Sequence, residues 1–401
     1  MQYEHIINDR QLIDFCRSAA AAKTIAFDTE FVSEDTYRPE LCLIQVAADK
    51  QLAVIDSLEV KDLNPFWELL AAPGHTTVVH AGREEFRFCQ LAIDRRPHEL
   101  FDVQIAAALV GLEYPASYNA LLAKLLGKTL EKGETRTDWR RRPLTSQQME
   151  YALQDVLHLA ALREVLADKL EQLGRRDWLT AEMNLWQQDL EDYEVSERWR
   201  RTSGIAGLSP RMLAIVRELW LWRDAEADRR NWPPKRILRD DLIVELARRQ
   251  TADPKRISAV RGLERGDIQR QMPQLIHCVA HALALPDHEW PRPAARSGRP
   301  QLNVLGQFLN SALGSICRAA QVSPSLVGSV DDVRDLIAHR LGLAGGAGNG
   351  EAPLLATGWR AEVVGHVIDE LLTGKLSIRI TDPLSDEPLA FVPSHPPRSA
   401  T

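Results

Sequence analysis

Asp28 and Glu30 stand two residues apart at the end of the apolar run Thr24-Ile25-Ala26-Phe27. In an extended strand residues i and i+2 emerge on one face, so the two carboxylates would lie side by side. Like charges held that close repel, and the pairing becomes favourable when a cation such as Mg²⁺ or Mn²⁺ binds between them. The plainer alternative is a strand that ends in a solvated acidic turn. Tyr151 and Asp155 fall four residues apart, on one face of a helix and one turn from each other. Separately they read as a half-buried helix residue and a surface acid. Beside Asp28 and Glu30, they supply the carboxylate cluster and phenol that metal-assisted hydrolysis needs.

The surrounding elements follow from hydrophobic period and turn chemistry. Residues 13–22 read as a short helix, and 24–31, 41–48 and 52–55 as strands joined by polar turns in an antiparallel meander. A helix over 62–71 stops at Pro73-Gly74, a strand at 76–80 runs into a helix over 83–91, and Phe101 and Asp102 close a further short strand. Asp102 is read as the N-cap of the next helix rather than as a site acid. Helices over 103–112, 117–126 and 145–173 follow, the last long and amphipathic. Strands first, then strands alternating with helices, indicate a mixed sheet covered by helices.

Beyond residue 205 the chain is helical. Ser209-Pro210 opens a helix bearing Leu213, Val216, Leu219 and Trp220 at helical spacing. A helical domain over 206–286 is expected, then a Pro- and Arg-rich linker to 300 and a second helical domain over 301–380 interrupted by the Gly-rich stretch 342–350. The Pro- and Ser-rich segment 383–401 is expected to be a disordered tail.

The chain has 401 residues, enough for several cores. Its start lacks a basic segment followed by an apolar one, and no stretch approaches the ~20 apolar residues of a membrane span. A soluble cytoplasmic protein is therefore expected. Five scattered cysteines without C-x-x-C spacing are expected to be reduced and mostly buried. Net charge is −7, yet 196–256 carries 15 Lys and Arg against 9 Asp and Glu, so positive charge is concentrated there. Gly127-Lys128-Thr129 mimics the end of a phosphate-binding loop, but Leu122 occupies the position of its first glycine, which excludes a nucleoside triphosphatase motor.

Three segments resemble the exonuclease motifs of the ribonuclease D family, in the tyrosine (DEDDy) branch of the DEDD exonucleases. They are Phe27-Asp28-Thr29-Glu30-Phe31, His80-Ala81-Gly82-Arg83-Glu84-Glu85 and Tyr151-Ala152-Leu153-Gln154-Asp155-Val156-Leu157. Ser117-Tyr118-Asn119 and the stretch 132–144 are similar to the same family. The resemblance implies a ribonuclease H-like mixed sheet flanked by helices over 1–200, including a connecting helix. It also implies two divalent ions, Mg²⁺ or Mn²⁺, with Asp28 bridging them, Glu30 and Asp155 completing the first site, and Glu85 serving the second. Tyr151 would orient the attacking water. Glu150 stands where the other DEDD branch has its histidine, which favours the tyrosine branch. The family has Asp where this chain has Glu85, one methylene longer; Glu84 would leave the opposite side of its helix. His80 is assigned a supporting role beside the site, and Trp139, Arg140, Arg141 and Arg142 are expected to meet the RNA by stacking and phosphate contact.

The two helical domains resemble HRDC modules, which implies nucleic-acid binding through Arg223, Arg229, Arg230, Lys235, Arg236 and Arg239. The reading is of a metal-dependent 3′–5′ exoribonuclease that trims RNA 3′ ends, tRNA precursors among them, releases nucleoside 5′-monophosphates without a covalent intermediate, and acts as a monomer. The alternatives are a 3′–5′ DNA exonuclease and a catalytically weakened RNA-binding scaffold.

Overall fold

The computed structural model describes residues 2–130, 137–195, 198–292, 300–343, 352–385 and 387–394. The first unit runs β1 (Glu4–Ile6), α1 (Asp9–Ala19), β2 (Thr24–Val32), β3 (Glu40–Ala48), β4 (Gln51–Asp56), α2 (Asn64–Ala71), β5 (Thr76–Val79), α3 (Arg83–Ile93), β6 (Leu100–Asp102), α4 (Val103–Leu109) and α5 (Tyr118–Leu126). After these come α6 (Ser146–Leu157), α7 (Leu159–Gln172) and α8 (Arg176–Val195). Six strands form one mixed sheet in the order β1-β4-β3-β2-β5-β6. The expected meander is present: β2 and β4 each pair antiparallel with β3. The parallel partners are β5 on β2 and β6 on β5, with β1 added along β4.

β2 lies inside the sheet, and its alternating side chains serve both faces. Phe27 packs edge-on against Phe66 and Trp67 of α2, with ring centroids 5.7 and 6.3 Å away. Asp28 pairs with Gln45 and Glu30 with Leu43, and the register shifts just after Glu30. That face is closed by α6, whose Met149, Ala152 and Leu153 pack with Leu43 and Val54.

The single helix expected over 145–173 is two. A capping box between Thr145 and Gln148 starts α6. His158 then leaves helical geometry at φ −115° and ψ 4°, and its N–H donates to Tyr118 Oη at 3.2 Å. The same N–H also reaches Val156 O, so the break is held by one local and one tertiary acceptor, which amphipathic periodicity cannot reveal.

The next unit contains α9 (Pro210–Arg230), α10 (Pro234–Ile237), α11 (Asp240–Arg249), α12 (Pro254–Ser258), α13 (Gly266–Gln269) and α14 (Met272–Ala284). Leu213, Val216, Leu219, Ile243, Leu246 and Val279 build its own core. The last unit has α15 (Pro300–Ala319), α16 (Pro324–Val327), α17 (Val330–Arg340), α18 (Gly358–Arg360) and α19 (His366–Leu372). Unlike its predecessor, it shares one continuous core with the sheet unit, joining Leu309, Ile316, Leu336 and Ile368 to Leu109 and Leu166.

Polar contacts seal this junction. Arg175 donates to Leu109 O at 2.7 Å and to Gln321 O at 2.6 Å, and Ser323 N–H donates to Ala108 O at 2.8 Å. Glu182 of α8 accepts from both terminal nitrogens of Arg360 at 2.7 and 2.8 Å and from Trp359 Nε1 at 3.2 Å. The Trp359 ring stacks on Trp178 at 5.2 Å.

Two expectations need correction here. The last unit is not all-α: β7 (Leu376–Ile380) and β8 (Leu389–Pro393) form an antiparallel pair. β8 therefore orders part of the segment read as a disordered tail, because Leu389, Phe391 and Val392 favour a strand and find a partner. Residues 395–401 of that tail, 344–350 of the Gly-rich stretch and 293–299 of the linker lie outside the described residues. Among the described residues no helix is long and apolar enough to cross a membrane. All five cysteines are free thiols, four of them buried.

Candidate active site

Asp28, Glu30 and Asp155 converge: each offers a carboxylate oxygen, and these atoms lie within 4.8 Å of one another. The strand period places the first two together, and the last turn of α6 brings the third down onto them. Burial is the first reason their charges are costly. It raises the Asp28 carboxyl well above the usual range, with repulsion from Glu85, Asp155 and Glu30 adding to it. Glu30 is pushed up to about 8 by burial and by Asp155 and Glu85, and burial pushes Asp155 to about 7.

Glu85 stands outside that threesome. It is 6% exposed on the first turn of α3, and its Oε1 accepts from Thr29 Oγ1 at 2.5 Å. Thr29 alternates with Asp28 and Glu30 along β2, so it faces the opposite side of the sheet and draws the longer side chain that way. Glu85 remains near enough to be the leading charge acting on Asp28, while burial lifts its own carboxyl to about 7. Glu84 turns away and pairs with Arg87 at 3.5 Å.

These shifts fix the pH response of the metal-free protein. Carboxyl groups titrating near 4 in an unfolded chain titrate near 7 to 8 here, so the folded state holds protons that the unfolded state has released. The stability they contribute is full below about pH 4 and is lost as pH rises through 7 to 8. In chelator, Tm is expected to fall between pH 5 and about pH 8.5. A flat or rising Tm would refute a crowded buried cluster.

Tyr151, one turn before Asp155, is half-buried. Burial, then repulsion from Asp155, Glu30 and Asp28, pushes its phenol up to about 12. It therefore stays protonated and can donate a hydrogen bond. Trp139 lies against its ring at 6.3 Å and 29°.

Asp102 is the expected N-cap, accepting from Gln104 N at 2.8 Å and Ile105 N at 3.4 Å. It also accepts from Ala81 and Gly82 N at 3.2 and 2.9 Å, which pins the turn leading to Glu85. A Cβ at Gly82 would meet Val79 Cγ2 at 2.4 Å, so glycine is required there. His80 keeps to the periphery: its Nε2 lies 2.9 Å from Ala116 O, and its ring faces Tyr118.

The surface expected to meet RNA is only partly available. Trp139 is 6% exposed in the core with Leu43, Val54 and Met149, so it supports Tyr151 and cannot stack on a base. Arg142 is an internal staple, reaching Asp56 at 2.5 and 2.6 Å and Cys42 O at 3.0 Å. Trp139 sits under α6 and Arg142 is tied to β3 and β4, placements that local composition does not disclose. Arg140 pairs with Asp138 and Asp35 at 2.9 and 3.0 Å, whereas Arg141 projects outward with Asp138 3.8 Å away. Positions 132–136 of the stretch 132–144 lie outside the described residues.

In the α9–α14 unit Arg223 is also internal, bonded to Asp240 at 2.6 Å and Leu238 O at 3.0 Å. Arg229 and Arg230 both engage Glu226, and Arg239 pairs with Asp241. Arg230 and Arg236 lie over the Trp232 ring at 5.5 and 4.1 Å, and Lys235 and Arg236 are exposed. This corner adjoins the catalytic sheet. Asn231 Oδ1 accepts from the N–H groups of Tyr37 and Arg38 at 3.1 Å each, and Arg38 clasps Asp228 at 2.8 and 3.1 Å, on the loop that leaves β2.

Sequence reasoning assigned no role to Thr29 or Gln45. Gln45 carried a signal: it is the one polar residue in the run Leu41–Ala48, which otherwise reads as a strand buried on both faces.

Comparison with known proteins agrees with this architecture. Residues 3–171 match the 3′-5′ exonuclease family model, and residues 212–279 match that of the HRDC domain. The molecule is thus a 3′–5′ exonuclease carrying a helical nucleic-acid-binding module. Ribonuclease D of Granulibacter bethesdensis is 32% identical over 94% of both chains, and that of Gluconacetobacter diazotrophicus 34% identical over 89% of both. The crystal structure of Escherichia coli RNase D, an exoribonuclease involved in structured RNA processing, superposes with a TM-score of 0.81 at 28% identity, covering 93% of this chain and 99% of that one. The chain belongs to the ribonuclease D family of 3′–5′ exoribonucleases.

Proposed function

We propose that the chain trims 3′-tailed structured RNA, tRNA precursors among its substrates, by metal-dependent hydrolysis that releases nucleoside 5′-monophosphates. The observation that carries this reading is the convergence of Asp28, Glu30 and Asp155 within 4.8 Å beside the Tyr151 phenol. The E. coli protein of similar structure, an exoribonuclease involved in structured RNA processing, supports the substrate class. An all-oxygen set of carboxylates fits a hard divalent ion such as Mg²⁺ or Mn²⁺. A pair of such ions would activate water and neutralise charge on the phosphate and the departing 3′ oxygen.

Within that scheme the protein's own groups have distinct tasks. Asp28, central in the cluster, would be shared between the two ions, with Glu30 and Asp155 completing one site. Glu85, restrained by Thr29 and close enough to act on Asp28 and Glu30, would serve the other. Tyr151, still protonated, would donate to the nucleophilic water and aim it, held by Trp139. His80 would steady the turn before Glu85. Arg141 and the exposed Lys235–Arg236 corner would take phosphates.

Tyr151→Phe is expected to lower kcat by about 10²-fold while leaving metal-induced thermal stabilisation intact. Loss of that stabilisation would move Tyr151 from orienting water to holding the metal site. The reading itself is tested with purified protein, 3′-tailed tRNA and matched single-stranded DNA in Mg²⁺, Mn²⁺ or chelator, with Glu85→Asp and Glu85→Gln alongside. Metal-independent trimming would end it. Preference for DNA would reassign the substrate. Tight RNA binding without turnover would favour a scaffold, the outcome to which the Thr29-bound Glu85 gives weight.

A further inference from the structure

Gln45 is fully buried, and neither its Nε2 nor its Oε1 has a hydrogen-bond partner within the protein. An amide enclosed in that way is costly, and an apolar side chain of the same shape would be cheaper. β3 nevertheless keeps it between Ile44 and Val46, both also fully buried. Register explains where the amide goes. Gln45 pairs directly with Asp28 on β2 and with Val54 on β4. Directly paired residues share a face, with Cβ atoms ~5 Å apart. The amide therefore stands beside Asp28, under α6, at the inner wall of the acidic cluster.

The other side-chain donor in the run Leu41–Ala48 is the Cys42 thiol, and it is taken up by Glu40 O at 3.2 Å. A carboxylate oxygen has two lone pairs, so one that binds a cation can still accept from a neighbour. We propose that Gln45 is a positioning residue that donates its amide N–H to the Asp28 carboxylate when Asp28 binds a divalent ion, holding it in ligating orientation from the inner side of the sheet. This rests on the metal site proposed above. It adds to that site a buried support which none of the three carboxylate motifs contains.

The test replaces the amide by apolar side chains of similar reach, Gln45→Met and Gln45→Leu, and measures Ca²⁺ and Mg²⁺ affinity by calorimetry and by metal-induced Tm shift in full-length protein. Both variants are expected to melt in chelator at or above the wild-type temperature, since the orphaned amide is gone. Their metal affinity is expected to fall about ten- to hundredfold, as for other residues that orient metal ligands. A folded variant that binds metal as tightly as wild type overturns the proposal. So does a lowered Tm in chelator with unchanged affinity, which would make Gln45 a packing residue. If wild type itself shows no metal-induced shift, the metal site fails, and the inference about Gln45 falls with it.

Discussion

Asp28→Asn is expected to reduce turnover by about 10³-fold or more and, in the same protein, to raise stability in the absence of metal. The first effect follows from the several kcal/mol that metal-based charge stabilisation supplies to a phosphodiester transition state, each ~1.4 kcal/mol being tenfold in rate. The second follows from the cluster itself. Asp28 is buried among Glu85, Asp155 and Glu30, and each of those charges raises its carboxyl further. A neutral amide of the same shape carries no charge for Glu85, Asp155 and Glu30 to oppose and none to desolvate. Thermal melts at pH 8 should show Asp28→Asn above wild type in chelator and below it in excess Mg²⁺. Single-turnover decay of a 3′-labelled RNA gives the rate. Wild-type turnover in Asp28→Asn would sink the two-metal reading, whereas lost turnover with lost folding would show only that the strand needs its carboxylate.

Glu182→Ala should produce the largest change in stability away from the site. Glu182 and Arg360 are 7% and 6% exposed, and the carboxylate is bound by Arg360 and by Trp359 Nε1. Removing one partner of a buried pair leaves an uncompensated charge and typically costs about 3–5 kcal/mol. Arg360 would keep its bonds to Val327 O and Leu326 O but would lack an anion. The loss should be concentrated at the seam between α8 and the C-terminal helices. Hydrogen exchange should accelerate in α16–α19 more than in α9–α14, which have a separate core. Adding Arg360→Met should recover a large part of the loss, because the stranded charge is then gone. If the double variant is no better than the single one, the pair contributes through packing rather than charge.

The sequence was most informative where a chemical grouping is local. Asp28 with Glu30 depends on the strand period and Tyr151 with Asp155 on the helical turn, so both pairs could be read before any fold was in hand. The meander, the start of α6 near Thr145 and the capped start of α9 were legible for the same reason. What could not be read depends on distant partners. Trp139 and Arg142 look like an RNA-facing loop until Asp56 and the core around Leu43 are seen beneath them. Arg223 lies among surface-type charges in sequence, yet Asp240 takes it inside. β1 and β8, of 3 and 5 residues, are strands by virtue of their neighbours. Glu85 is intermediate: its type was clear, but its direction is decided by Thr29 on another element.

The interruption at His158 bears on how the catalytic helix tolerates change. An unbroken α-helix is a torsionally stiff shaft, and one inserted residue turns everything beyond it by ~100°. Were α6 and α7 such a shaft, any repacking of Leu162, Leu166 or Leu170 would be transmitted as a twist to Asp155. The joint at His158, whose N–H donates to Tyr118 Oη, interrupts that shaft. The angular setting of Tyr151 and Asp155 therefore depends on the twelve residues of α6 and the sheet beneath them, with no continuous helix to carry a twist from α7.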